Sequence, residues 1–155
     1  MRISILAVGK LGRAPEAQLA RDYAERATAS GRALGLGPVE ILEVEGRKPG
    51  KASEAEALAT QLGDGSRLIA CDEHGKPRTS RDFAAHLGRL RDDGARRLVL
   101  MIGGADGLDS ALLSRADETL AFGVQTWPHA LVRAMLAEQV YRAVTILSGS
   151  PYHRD

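Results

Sequence analysis

The segment Leu98-Val99-Leu100-Met101-Ile102-Gly103-Gly104-Ala105-Asp106-Gly107 decides how the rest of the chain is read. Its first five residues are apolar without alternation, the pattern of a central parallel strand covered on both faces. Three glycines in the next five positions permit positive φ angles and close approach of a ligand to the main chain. Alone, such a turn is an ordinary strand-to-helix connection. A second segment, residues 122–127, also follows a strand pattern and would present free backbone N–H and C=O groups. Two such loops side by side at the carboxyl edge of a parallel sheet suit a purine and an amino-acid moiety without any conventional nucleotide motif.

Outward from this segment, short β-branched or leucine-rich runs alternate with helical patterns, which predicts an α/β fold with a mainly parallel sheet flanked by helices. Strands are expected over 3–8, 39–44, 66–71, 98–102 and 119–122. Helices are expected over 15–29, 80–93, about 110–116 and about 129–147, with a further one opened by Ser53 and closed by Gly63. Pro15 suits a first turn, and Gly31 and Gly94 suit helix ends. Ser53 and Glu56 have capping-box spacing, and Ser80 is the expected cap of its helix. Leu19, Tyr23 and Ala27, with Ala20 and Ala24, form the apolar stripe of the first helix. Residues 72–77 read as a polar turn. The last helix is apolar almost all round, so it needs cover from two directions, either in the core or at a symmetric interface. On it, Glu138 and Arg142 stand i, i+4 in the favourable order for an ion pair.

The 155 residues suit one domain, 1–155, able to bury roughly 70% of its unfolded surface. Hydrophobic residues are 44%, charged residues 26%, and 21 basic side chains oppose 20 acidic ones. A net charge of +1 gives no global attraction to phosphate, so an RNA partner would require basic residues gathered on one face. Arg47, Lys48 and Lys51, then Arg89, Arg91, Arg96 and Arg97, then Arg133, Arg142, His153 and Arg154 are clusters of that kind, each read first as a solvated face. One cysteine allows no intrachain disulfide, and four scattered histidines show no zinc-site spacing, so no metal is expected. No apolar run approaches a membrane span, and the expectation is a cytoplasmic protein.

Familiar catalytic signatures are missing. Around Gly75-Lys76 the first P-loop glycine is Ala70 and the next residue is Pro77. Gly9-Lys10-Leu11-Gly12 lacks the full dinucleotide spacing, and there is no nucleophile elbow for a hydrolase serine.

Five segments nevertheless occur in one order: AVGK at 7–10, LMIGGADG at 100–107, TWPHALVR at 126–133, AEQVYRA at 137–143 and the terminal PYHRD at 151–155. With them the chain resembles, over essentially its whole length, the SPOUT-class ribosomal RNA methyltransferases of the RlmH type, which methylate N3 of a large-subunit pseudouridine. The resemblance implies a SPOUT fold with a C-terminal trefoil knot, S-adenosyl-L-methionine as methyl donor, and a homodimer acting on 23S rRNA within the 70S ribosome. It implies a donor site of Cys71, Gly103, Phe122, Gly123, Val124, Gln125, Thr126 and Trp127. His129, Arg133, Arg142, Tyr152, His153 and Arg154 become candidates for handling the acceptor base and its phosphates, with Glu138 orienting them. Cys71 stands where a leucine is more usual and is expected to contribute a small apolar wall; Ala105 stands where a proline is common and Asp106 where a glutamate is, so a less rigid glycine turn is expected. Two rivals are a SPOUT tRNA methyltransferase and a non-catalytic ribosome-associated binding module.

Overall fold

Why the strands lie where they do follows from which runs can be buried on both faces. The computed structural model describes residues 1–154. One five-stranded sheet has the order β2-β1-β4-β3-β5, formed by β1 (Arg2–Val8), β2 (Val39–Val44), β3 (Arg67–Pro77), β4 (Arg97–Ile102) and β5 (Glu118–Ala121). Every neighbouring pair is parallel. At the centre, Leu100 pairs with Ile5 on one side and Ile69 on the other.

Alternate side chains of the inner strands enter different cores, as the two-residue period of a strand requires. Ile3, Ile5, Ala7, Leu98, Leu100 and Ile102 pack with α1 (Pro15–Gly31), α3 (Ser80–Asp92) and α5 (His129–Ser148). Leu6, Val8, Val99 and Met101 pack with Leu58 of α2 (Lys51–Ala59) and Leu112 of α4 (Ser110–Arg115). The sheet is therefore a middle layer with helices on both faces, and its loops carry the polar chemistry at its edges.

The last helix is covered within the chain itself. Ala134, Leu136, Ala137, Val140, Ala143 and Val144 are buried between α1, α3 and the sheet. Helix α1 meets it with a row of small residues, Ala17, Ala20, Ala24, Ala27 and Gly31, whose size permits close approach. Leu19 is not part of that row; it stands 48% exposed, because Ala17 and Ala24 define the buried face instead. Gly31 lies inside the helix rather than beyond it, since a Cβ there would sit 2.3 Å from the Leu36 carbonyl oxygen.

Several local expectations are corrected. Helix α2 begins at Lys51 with Gly50 as its cap, and Ser53 Oγ instead accepts the Lys48 N–H at 3.1 Å, so no capping box forms. Thr79, not Ser80, caps α3 by accepting the Asp82 N–H at 3.1 Å. Ser80 Oγ is thereby free to donate to Gln139 Oε1 on α5 at 2.8 Å. Residues 72–77 are not a turn outside the sheet: β3 continues through them with a register shift between Cys71 and Lys76. Gly75 makes that possible, because a Cβ there would meet the Leu120 backbone at 2.8 Å.

Truncating Leu100 should cost about 3 kcal/mol, the usual range for a buried leucine that leaves a cavity. Leu19→Ala should change stability by under about 0.5 kcal/mol, because an exposed position in a helix tolerates alanine. Urea unfolding of the two variants, compared with the parent chain, checks both values.

Candidate functional site

The extension of β3 and the loops that leave β4 and β5 line a cavity of about 710 Å³ at the carboxyl edge of the sheet. That volume lies in the range of small-ligand sites. Ile102, Leu108, Leu113, Leu120, Phe122 and Val132 give it an apolar wall, while the glycine turn and the 122–127 loop contribute main chain. This combination suits a flat apolar ring together with a polar tail.

The glycine turn is closed on itself by the Gly107 N–H, which donates to the Gly104 carbonyl at 3.0 Å. A Cβ on Gly103 would stand 2.4 Å from the Gly107 carbonyl carbon, so no side chain fits there. The Glu54 carboxylate packs beneath Gly104, where a Cβ would come within 2.9 Å of its Oε2. The opposite loop is held by Trp127 Nε1, which donates to the Phe122 carbonyl at 3.2 Å. Thr126 Oγ1 donates to Glu73 Oε2 at 3.2 Å, fastening that loop to the extension of β3.

Of the donor-site residues carried over by resemblance, Cys71, Gly103, Phe122, Gly123, Gln125, Thr126 and Trp127 all line this cavity. Val124 does not; it is 98% exposed. His129 is the member of the acceptor-side set that also lines it. Lys51, Glu73 and His74 join the lining, and sequence reasoning missed all three. Lys51 was read with a solvated basic loop, and Glu73 and His74 with a turn, because nothing local announces that β3 runs on to the cavity mouth.

Burial at the inner end pushes the Cys71 thiol up to about 12, with the Asp72 carboxylate adding to the effect. Cys71 thus stays a thiol and serves as a small apolar wall.

A second group gathers where the C-terminal tail folds back on α5. Glu138 Oε1 accepts from Arg142 Nε at 2.9 Å, from Arg142 Nη2, and from the Tyr152 hydroxyl at 3.0 Å. Its Oε2 accepts from Gln139 Nε2 at 2.8 Å. A carboxylate so occupied holds its neighbours in place. Burial, then contacts with Tyr23 and Glu138, raise the Tyr152 phenol above its ordinary range, which keeps it a neutral donor. Arg142 Nη1 lies 3.2 Å from His153 Nδ1. Tyr152 packs edge-on against Tyr141 at 4.7 Å between ring centres, and the Arg26 guanidinium lies 4.3 Å from the Tyr141 ring centre. Arg154 is exposed, and Asp155 lies outside the described residues.

Glu138, Arg142, Tyr152, His153 and Arg154 are absent from the lining of the large cavity. A smaller cavity of about 350 Å³ adjoins it, sharing Leu120, Phe122 and Gly123, and reaches Gln139. Arg133 belongs to neither group: it is 1% exposed and bound to the end of β1 and to Glu43. Of the other histidines, His86 is buried beside Glu118 and Arg78 and lines neither cavity, and desolvation lowers its pKa. Among the described residues, no cluster of three or more His, Cys, Asp or Glu could hold a metal ion. None of the described helices is long and apolar enough to cross a membrane.

A parallel α/β sheet with a glycine-walled cavity at its carboxyl edge is an architecture that binds small ligands at the ends of its strands. Residues 1–153 match the family described as "Predicted SPOUT methyltransferase", and the chain belongs to that family and is a methyltransferase. Proteins named "Ribosomal RNA large subunit methyltransferase H" are similar to it over full length. That of Caulobacter sp. (strain K31) is 76% identical over 155 residues, covering 100% of both chains. That of Phenylobacterium zucineum (strain HLK1) is 69% identical over 155 residues, again covering 100% of both. Among solved structures, a probable methyltransferase from Bordetella pertussis Tohama I superposes with a TM-score of 0.54 at 17% identity, covering 92% of this chain and 96% of that one. A probable methylase family protein from Haemophilus influenzae Rd KW20 gives 0.55 at 13% identity, covering 99% and 70%. At those identities the structural likeness establishes the fold.

Two outcomes are expected at this site. Gly103→Ala should weaken methyl-donor binding at least about tenfold in calorimetry, because relief of the 2.4 Å contact must displace the Gly107 backbone. Iodoacetamide at pH 8.5 should label Cys71 at least about a hundredfold more slowly in the folded chain than in guanidinium, since only the thiolate reacts.

Proposed function

We propose that the chain transfers a methyl group from S-adenosyl-L-methionine to N3 of a pseudouridine in 23S rRNA, acting as a homodimer on the assembled 70S ribosome. The observation that carries this reading is the division of the site. One cavity unites His129 with seven of the eight donor-side residues, whereas the Glu138, Arg142 and Tyr152 cluster lies off its lining. A second copy would bring that cluster to the cavity, and the trefoil knot expected from the family would hold the donor loops together.

The donor fits the residues present. The apolar wall suits adenine, the cramped Gly103 turn suits close main-chain contact, and Lys51 and Glu73 stand at the rim for the charged amino-acid end. When bound, S-adenosyl-L-methionine supplies an activated methyl for in-line displacement, so the protein's main task is positioning. His129 lines the same cavity and is placed to receive or share the acceptor proton. Tyr152, held neutral, donates a hydrogen bond, and the exposed Arg154 is free to meet a phosphate.

Support for a dimer comes from apolar side chains left uncovered near the cavity. Val124 is 98% exposed, and Trp127, just before α5, and Leu131, in its first turn, are each 40% exposed. The relatives' shared name supports ribosomal RNA as acceptor. A net charge of +1 fits a protein that recognises a shaped target in the ribosome rather than gripping free RNA. The ribosome as substrate would place the protein in the cytoplasm.

Incubation with labelled S-adenosyl-L-methionine and 70S ribosomes lacking the modification, followed by mass spectrometry of rRNA fragments, tests the reading. The expected product is one methyl on a large-subunit fragment containing pseudouridine, with free 23S rRNA a far poorer substrate. Methylation of tRNA alone would overturn the acceptor, and absence of donor binding would overturn catalysis. Light scattering should give twice the chain mass.

A further inference from the structure

Arg133 is the largest of the side chains buried to below 2% exposure. Its Nη2 donates to the carbonyls of Val8 and Gly9, each at 3.0 Å, and its Nη1 donates to Glu43 Oε1. The same Glu43 oxygen accepts the Leu11 N–H at 3.1 Å. Arg133 Nε has no partner among the described residues. Desolvation lowers the Arg133 pKa, opposed by Glu43.

Burying such a pair is seldom a net gain in stability, because apolar residues of similar volume often do as well or better. What the arrangement supplies is geometry. It joins the end of β1, the edge strand β2, the 9–11 turn and the first turns of α5 at one point on the carboxyl edge of the sheet. His129 stands four residues before Arg133, on the same face of α5. A Cβ added to Gly9 would lie 4.0 Å from His129 Nε2, so the residue gripped by Arg133 is also the neighbour of the His129 ring. With its guanidinium committed to two carbonyls and a carboxylate, Arg133 has no group left at the surface for substrate.

We propose that Glu43 and Arg133 are positioning residues for methyl transfer: their ion pair fixes the Gly9 backbone against α5 and thereby sets where His129 stands in the donor cavity. This rests on the reaction proposed above, and it adds Glu43, which no sequence motif singles out. It also reassigns Arg133 from contact with the acceptor to control of a residue that faces the cavity.

The test compares Glu43→Gln, Arg133→Met and Arg133→Lys with the parent enzyme. Steady-state methylation of ribosomes gives kcat and KM, and 1H–13C NMR of the His129 ring, assigned with His129→Asn, reports its surroundings without RNA. Glu43→Gln and Arg133→Met should lower kcat at least about tenfold while KM for S-adenosyl-L-methionine stays within about threefold, the signature of an interaction that matters in the transition state. The His129 ring signals should move in both, and Arg133→Lys, which retains the charge, should recover part of kcat. Unchanged kcat, or His129 signals that stay in place in Glu43→Gln, would overturn the proposal. So would a loss confined to donor KM. Glu43→Gln keeps side-chain volume, so it decides the matter if Arg133→Met does not fold. Failure of the parent enzyme to methylate ribosomes would count against the proposed function, whereas the NMR comparison judges the positioning role independently.

Discussion

Because β4 lies between β1 and β3 and beneath helices on both faces, it leaves no room along its length for polar chemistry. Leu98, Val99, Leu100 and Met101 are all fully buried, and they divide between the two cores. Parallel strands then require every connection to begin at the carboxyl edge and return to the opposite one. The far end of β3 and the loops after β4 and β5 are thereby delivered to a common place. The cavity is a consequence of that routing, and the glycine turn is the portion that has to be most compact.

The site has two parts built in different ways. The cavity is walled largely by main chain and apolar side chains, with charged groups such as Lys51 and Glu73 also in its lining. The tail cluster is electrostatic: one carboxylate, Glu138, satisfies donors from Arg142, Tyr152 and Gln139. With its polar partners met internally, the tail is held on α5 rather than frayed, although a short polar terminus is ordinarily mobile. Between the two parts stands α5, which carries His129 at its first turn and Glu138 in its middle. Its rigid packing against α1 and α3 fixes the relation between them.

Arg133 and Glu43 show how a charge can shape this site without entering it. Arg133 is buried and Glu43 partly so where the end of β1, strand β2, the 9–11 turn and α5 converge, and the pair's hydrogen bonds fall on main-chain groups of Val8, Gly9 and Leu11. Displacing the bonds from Arg133 Nη2 would leave polar groups at the end of β1 to find other partners, which favours one arrangement of these segments.

Strand content and layer order were legible in the amino-acid sequence, because an uninterrupted apolar run such as 98–102 is stable only when covered twice. The two loops at 103–107 and 122–127 were legible for the same reason, since each follows a strand that must end there. Capping was not: Ser53 and Ser80 have the right chemistry, but neighbouring Gly50 and Thr79 stand where the helices begin. Nor was the continuation of β3 through residues 72–77, which depends on Gly75 passing the Leu120 backbone and on nothing in its own hydropathy. Composition and periodicity report what a residue prefers, summed over a few neighbours. The partners of Arg133 are 90 and more positions away, at Glu43, Gly9 and Val8, and only the folded chain brings them within hydrogen-bonding reach.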